Sequence, residues 1–153
     1  MKVEYVNPFV EAACSVLEHV SGTLVKPGDL CLLGNPFGAA SINIATRVEG
    51  TLCGIVVHSM AGLTARQLVS RITGKQCQGV GRVMGAGLTQ LGMMFVEVAS
   101  RTLAKYGYRC GLSSPTIFHG LNVEFMSESP ALSIPLETGA GEVNVSVAVR
   151  GNE

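Results

Sequence analysis

The sequence predicts an α+β fold: a duplicated helix-plus-three-strand unit, its strands in one antiparallel sheet with the helices packed on one face. Three observations carry this. The predicted elements run helix, three strands, two helices, three strands. Phe9-Val10-Glu11-Ala12-Ala13 recurs as Phe95-Val96-Glu97-Val98-Ala99, an offset of 86, with Leu17 matching Leu103. Ser41-Ile42-Asn43-Ile44-Ala45-Thr46 recurs as Ser133-Ile134-Pro135-Leu136-Glu137-Thr138, an offset of 92. The same order with nearly the same offset fits two copies that differ by a short insertion. We therefore expect residues 1–153 to form a single domain with a pseudo-twofold repeat at about 1–60 and 83–153.

The first helix is expected to start at Pro8, with Asn7 as its N-cap. Phe9, Ala13, Val16, Leu17 and Val20 recur at the spacing of a helix buried on one side, and Gly22 ends it. Residues 23–38 read as a strand broken by Pro27-Gly28, then a loop, Gly34-Asn35-Pro36-Phe37-Gly38. Strands over 40–48 and 51–59 are joined near Glu49-Gly50. A second helix spans Ala61 to Thr73 and is closed by Gly74. A glycine-rich link, 75–82, leads into a long helix from about Val83 to Tyr106 that stops at Gly107. Strands follow over 109–118, 131–138 and 141–150, with 121–126 either strand or loop. Val143, Val145, Val147 and Val149 alternate with Asn144, Ser146, Ala148 and Arg150, the pattern of a strand with one buried face.

Composition narrows the chemistry. With 47% hydrophobic residues among 153 the chain can build a sizeable core. Eleven cations against eleven acids give no net charge, a poor match to nucleic acid or an anionic membrane. No uninterrupted apolar run approaches the roughly 18 residues that span a bilayer. The N-terminus, Met1-Lys2-Val3-Glu4-Tyr5, lacks the apolar region of a signal peptide. Asp29 is the sole aspartate, whereas a receiver's phosphoacceptor site needs several. Five scattered cysteines (Cys14, Cys31, Cys53, Cys77, Cys110) predict reduced, mostly buried thiols in a cytoplasmic protein. His19, His58 and His119 lie too far apart in sequence for metal-ligand spacing.

The stretch from Gly79 to Gly87 fails as a dinucleotide loop, because Met84 takes the third glycine position and no strand directly precedes it. The chain holds no Gly-Lys-Ser/Thr and no G-x-S-x-G elbow. The long helix is more informative. Leu88, Leu91, Phe95 and Val98 form its core stripe. Ala86, Gln90, Met93, Glu97 and Arg101 form a second stripe, which the Glu97–Arg101 i,i+4 pair marks as solvated. Met93 stands out there as a large apolar side chain.

The chain resembles CheX, the chemotaxis phosphatase related to CheC and the flagellar-switch protein FliY. The likeness is carried by Tyr5-Val6-Asn7-Pro8-Phe9-Val10-Glu11-Ala12, by Leu91-Gly92, and by Leu103-Ala104-Lys105-Tyr106-Gly107-Tyr108. It continues through Ser114-Pro115-Thr116-Ile117, Ile134-Pro135-Leu136 and the closing strand. The resemblance implies a duplicated, CheC-like α+β architecture and a cytoplasmic homodimer; the charge balance already argues against a nucleic-acid or membrane partner.

It also implies a partner and a reaction. Family members speed loss of the phosphoryl group from the aspartyl-phosphate of a CheY-like response regulator in two-component signalling. The regulator supplies the Mg²⁺ and a Lys, so the phosphatase needs no cofactor of its own. It positions water with a Glu and an Asn three residues apart on the solvent face of the long helix. Here Gln90 takes the Glu position, Met93 the Asn position, and Ala86 a position often Ser or Asp. Gln90 keeps hydrogen-bonding capacity without the charge, and a thioether cannot direct a water. Loss of one preorganised catalytic hydrogen bond costs about 2.7–4 kcal/mol, or roughly 10²–10³ in rate.

The expectation is weak or lost phosphatase activity, with Ala86, Gln90, Met93 and Glu97 as the docking strip. The alternative is a non-catalytic binding module or dimer partner in chemotaxis signalling. On the first helix Glu11 is followed three residues later by Cys14, again without an amide. Glu97 with Ser100 is a possible substitute pair.

Overall fold

In the computed structural model, which describes residues 2–38, 40–76 and 81–152, a 3₁₀ turn over Val3–Tyr5 runs straight into helix α1 (Asn7–Ser21). Val6 is the residue before the helix and already has helical dihedrals, and its carbonyl accepts from the Phe9 and Val10 amides. Asn7 is therefore inside α1 and does not cap it by a side-chain hydrogen bond, contrary to expectation. Pro8 fits because the first turn needs no amide hydrogen there. Gly22 ends α1 in the left-handed region, φ 72°.

The strands are β1 (Lys26–Pro27), β2 (Cys31–Leu33), β3 (Phe37–Gly38), β4 (Ile42–Gly50), β5 (Leu52–Met60), β6 (Cys110–Leu112), β7 (Thr116–His119), β8 (Glu124–Phe125), β9 (Ala131–Thr138) and β10 (Gly141–Gly151). The other helices are α2 (Gly62–Thr73) and α3 (Arg82–Lys105). The main antiparallel sheet has the order β1-β9-β10-β5-β4-β6, with β2 also on β9 and β7 also on β4. Two hairpins thus meet at its centre, where β5 pairs β10 from Met60↔Val143 to Leu52↔Gly151. Each outer strand of that four-stranded core is covered by two short strands instead of one long one. The breaks fall at Pro27-Gly28 and at Ser113-Ser114-Pro115, where a proline cannot donate to the ladder.

The three helices lie on one face. Phe9, Ala13, Val16 and Leu17 of α1, Leu68 and Val69 of α2, and Leu88, Leu91 and Phe95 of α3 bury against Ile44, Val56, Met60, Leu136 and the alternate valines of β10. Val98, expected on the core stripe, is only partly buried. By length and composition α3 could cross a membrane, although no single apolar run in it is long. Here its apolar stripe is the centre of the helix layer, against α1 and α2.

The opposite face differs from expectation. Ser146 and Ala148, assigned to solvent by the alternation in β10, are buried. The Ser146 hydroxyl bonds to that of Ser133 on β9, and a separate two-stranded ribbon, β3 with β8, lies over Ala148. Its stacked Phe37 and Phe125 rings, 5.7 Å apart, cover Ala45, Val57 and Ala148. Asn35 ties the ribbon's ends together, its side chain accepting from the Ser127 amide and donating to the Ser127 carbonyl. The thiols are also less buried than predicted: Cys31 is exposed and Cys14, Cys53 and Cys110 are half-buried, all unpaired. They sit on short edge strands, a hairpin end and a helix flank rather than in the core. Cys77 and the first part of the glycine-rich stretch, 77–80, fall outside the described residues.

Candidate functional site

Two glycines set α3 in place. A Cβ on Gly87 would lie 2.4 Å from Val69 of α2, and one on Gly92 would lie 2.7 Å from Pro115. The helix therefore approaches α2 on one side and the sheet on another more closely than any larger residue permits. The remaining direction is outward. Ala86, Gln90, Met93 and Glu97 all lie exposed along it, Met93 at 46%. Ser100, of the substitute pair, is half-buried.

The strip is uneven in its bonding. Glu97 pairs with Arg101 at 4.0 Å, both well exposed. Among the described residues, nothing bonds to the Gln90 amide. Gln90 faces a groove of about 220 Å³ where the last turns of α1 and α2 converge on α3. His19, Val20, Arg71, Ile72 and Met94 complete its lining. Sequence reasoning missed His19 and Arg71 as neighbours of Gln90. Their one local signal was a basic residue near the C-terminus of a helix, which ordinary dipole complementarity explains.

The C-terminal end of α3 is closed. Glu11 of α1 accepts from Lys105 Nζ at 2.8 Å and from the Tyr106 hydroxyl at 2.6 Å. These bonds, the Lys105 one foremost, hold the Glu11 carboxyl below its usual range. The same carboxylate holds the Tyr106 hydroxyl above its own. Glu11 is thus committed, and Cys14, one turn on, has its thiol pushed up by burial and then by Glu18. No catalytic arrangement is formed on α1 from these two. In the middle, Phe95 stacks on His58 of β5 with ring centres 3.9 Å apart and planes 2° from parallel. Burial pushes the imidazole down to about 4, opposed by a hydrogen bond to the Ile44 backbone. His58 Nδ1 has no partner. Among the described residues no cluster of three His, Cys, Asp or Glu side chains could hold a metal ion.

The elements and their order define the CheC-like fold, an α+β arrangement with an antiparallel sheet and helices on one face. Solved structures of CheX and CheC-like chemotaxis proteins share it over almost the whole chain. A CheC-like superfamily protein from Shewanella sp. PV-4 superposes with a TM-score of 0.85 at 17% identity, covering 99% of this chain and 100% of its own. The chemotaxis protein CheX from Desulfovibrio desulfuricans gives 0.83 at 20%, covering 97% and 99%. A CheX–CheY–BeF₃–Mg²⁺ complex from Borrelia burgdorferi gives 0.76 at 21%, covering 97% and 99%. The chain matches no protein-family model and no curated protein sequence.

Proposed function

We propose that the protein is a CheX-type chemotaxis accessory protein that docks a phosphorylated CheY-like response regulator on the outward strip of α3. The observation that carries this is the strip itself. Ala86, Gln90, Met93 and Glu97 are presented together on a rigid helix, on a fold shared with a CheX captured with CheY. Aspartyl-phosphate hydrolysis needs a water held in line, and the regulator brings its own Mg²⁺ and Lys. Gln90 can hydrogen-bond but carries no charge, and Met93 cannot direct a water. The strip is therefore a docking face with weak or lost phosphatase activity. An exposed Met93 beside an unbonded amide favours the second reading, a non-catalytic binding module, with Met93 a contact.

The related proposals follow the same likeness. The chain is a single domain of two repeated halves, works as a homodimer in the cytoplasm, and needs neither cofactor nor nucleic acid. Glu97 with Ser100 is the reserve catalytic pair, weakened by the Arg101 contact.

The test is the phosphoryl lifetime on CheY-type regulators, with the native protein and with a Gln90→Glu, Met93→Asn double variant. The expected result is little acceleration by the native protein and roughly 10²–10³ more by the double variant. Strong acceleration by the native protein would overturn the reading of a degenerate site and turn attention to Glu97 and Ser100. If neither protein acts or binds, a CheY-like regulator is not the partner.

A further inference from the structure

The groove beside Gln90 has an electrostatic character that the degenerate-site reading does not account for. Arg71 contributes a guanidinium, His19 an imidazole and Gln90 an amide, all reaching one space of about 220 Å³. Among the described residues, none of these three side chains has a hydrogen-bond or ion-pair partner. Helix-dipole complementarity explains why basic residue types stand in the last turns of α1 and α2. It does not explain why no acid answers them.

The acids of the helix layer are all elsewhere. Helix α2 has none, and α3 has only Glu97, which lies with Arg101. Of the two on α1, Glu11 is bound at the far end of α3, and Glu18 accepts from the Val25 amide. The three helices carry five cations (Arg66, Arg71, Arg82, Arg101, Lys105) against these three acids, although the whole chain is neutral. The helix face is therefore positive relative to the rest of the molecule, and the groove is its acid-free point.

We propose that this groove is an oxyanion-binding site, which takes a carboxylate or phosphoryl group presented by the docked partner. Arg71 supplies a planar fork suited to two oxygens of such a group. The Gln90 amide and the His19 ring N–H supply further donors. The partner assignment rests on the regulator-docking reading; the anion site does not. On that reading, replacement of Glu by Gln at position 90 is a change of sign in recognition. A carboxylate that would bind a partner's Lys gives way to a cationic groove that binds a partner's acidic group.

The experiment is a titration of the full chain with inorganic phosphate, followed by the NMR signals of the Arg71 Nε–H and the Gln90 side-chain amide. Regulator binding is measured in parallel. Saturable shifts are expected for the native protein, weakened about tenfold or more in Arg71→Gln. Gln90→Glu places an internal counter-ion in the groove and is expected to abolish phosphate binding while leaving the fold intact by circular dichroism. Regulator affinity should fall in Arg71→Gln along with phosphate affinity. Absence of saturable shifts in the native protein overturns the site. Phosphate binding with regulator affinity unchanged in Arg71→Gln means an adventitious ion only, and overturns the partner assignment. Phosphate binding by a protein that binds no regulator at all leaves the anion site standing and removes the docking reading instead.

Discussion

Two polar clusters lie along α3, and their groups are treated in opposite ways. At the C-terminal end Lys105, Tyr106 and Glu11 bond to one another and stitch α1 to α3. At the middle turns of α3, Gln90 shares a groove with Arg71 and His19, and none of the three is paired among the described residues. Both clusters are exposed, so exposure does not separate them. The distinction is whether a donor finds an acceptor within its own chain. The paired cluster is a clamp between helices, and the unpaired one leaves its donors to solvent or to a ligand. Between them Phe95 and His58 anchor the helix to the sheet.

The contrast can be broken from the anchor outward. Phe95→Ala removes a buried ring and its stack on His58, and we expect it to destabilise the protein by about 3–5 kcal/mol in denaturant unfolding. Met93→Ala, two residues away on the exposed strip, should stay within about 0.5 kcal/mol. A comparable cost for the two would mean that the strip is structural after all.

Acid should weaken the anchor next. His58 has a folded value of about 4 against 6.5 for an ordinary imidazole, so the unfolded chain binds the proton more readily. Its contribution to stability is fully present above pH 6.5 and is lost as the pH falls towards 4. The expected loss is of order 3 kcal/mol across that window, at about 1.4 kcal/mol per pH unit. His58→Gln should flatten this part of the stability–pH profile; an unchanged slope would place the proton uptake elsewhere.

The smallest effect belongs to the clamp. Glu11→Gln removes the carboxylate from an exposed cluster and should shift the thermal midpoint only slightly. Its clearer sign is spectroscopic. The Tyr106 hydroxyl, now held high first of all by its bond to Glu11, should titrate at lower pH in the variant. An unmoved ultraviolet titration of the tyrosines would mean that the clamp does not form in solution.

Much of this was readable in the chain. The positions of α1, α2 and α3 follow from apolar spacing and from Gly22 and Gly74, because helix periods and left-handed caps are local. So does the outward strip of Ala86, Gln90, Met93 and Glu97, which needs only the helical repeat and knowledge of the buried side. The ribbon of β3 and β8 was not readable. Phe37 and Phe125 are far apart in sequence, and each strand is too short to show a period. Its presence turned Ala148 from solvent-facing to buried. The Asn7 cap failed for the opposite reason: a 3₁₀ turn already carried the helix back to Val6.

The sequence by itself determined the α+β class, the C-terminal ends of α1 and α2, and the presence of an amide at position 90 and a thioether at position 93. These depend on neighbours within a few residues and on side-chain chemistry. Only the tertiary structure decided which polar groups are spent and which are free. Glu11 meets Lys105 and Tyr106, and His19 and Arg71 meet Gln90, because α1 and α2 are laid against α3 through contacts such as Val69 on Gly87. Side chains from three helices share a groove only after those helices have packed, and no local period encodes that meeting.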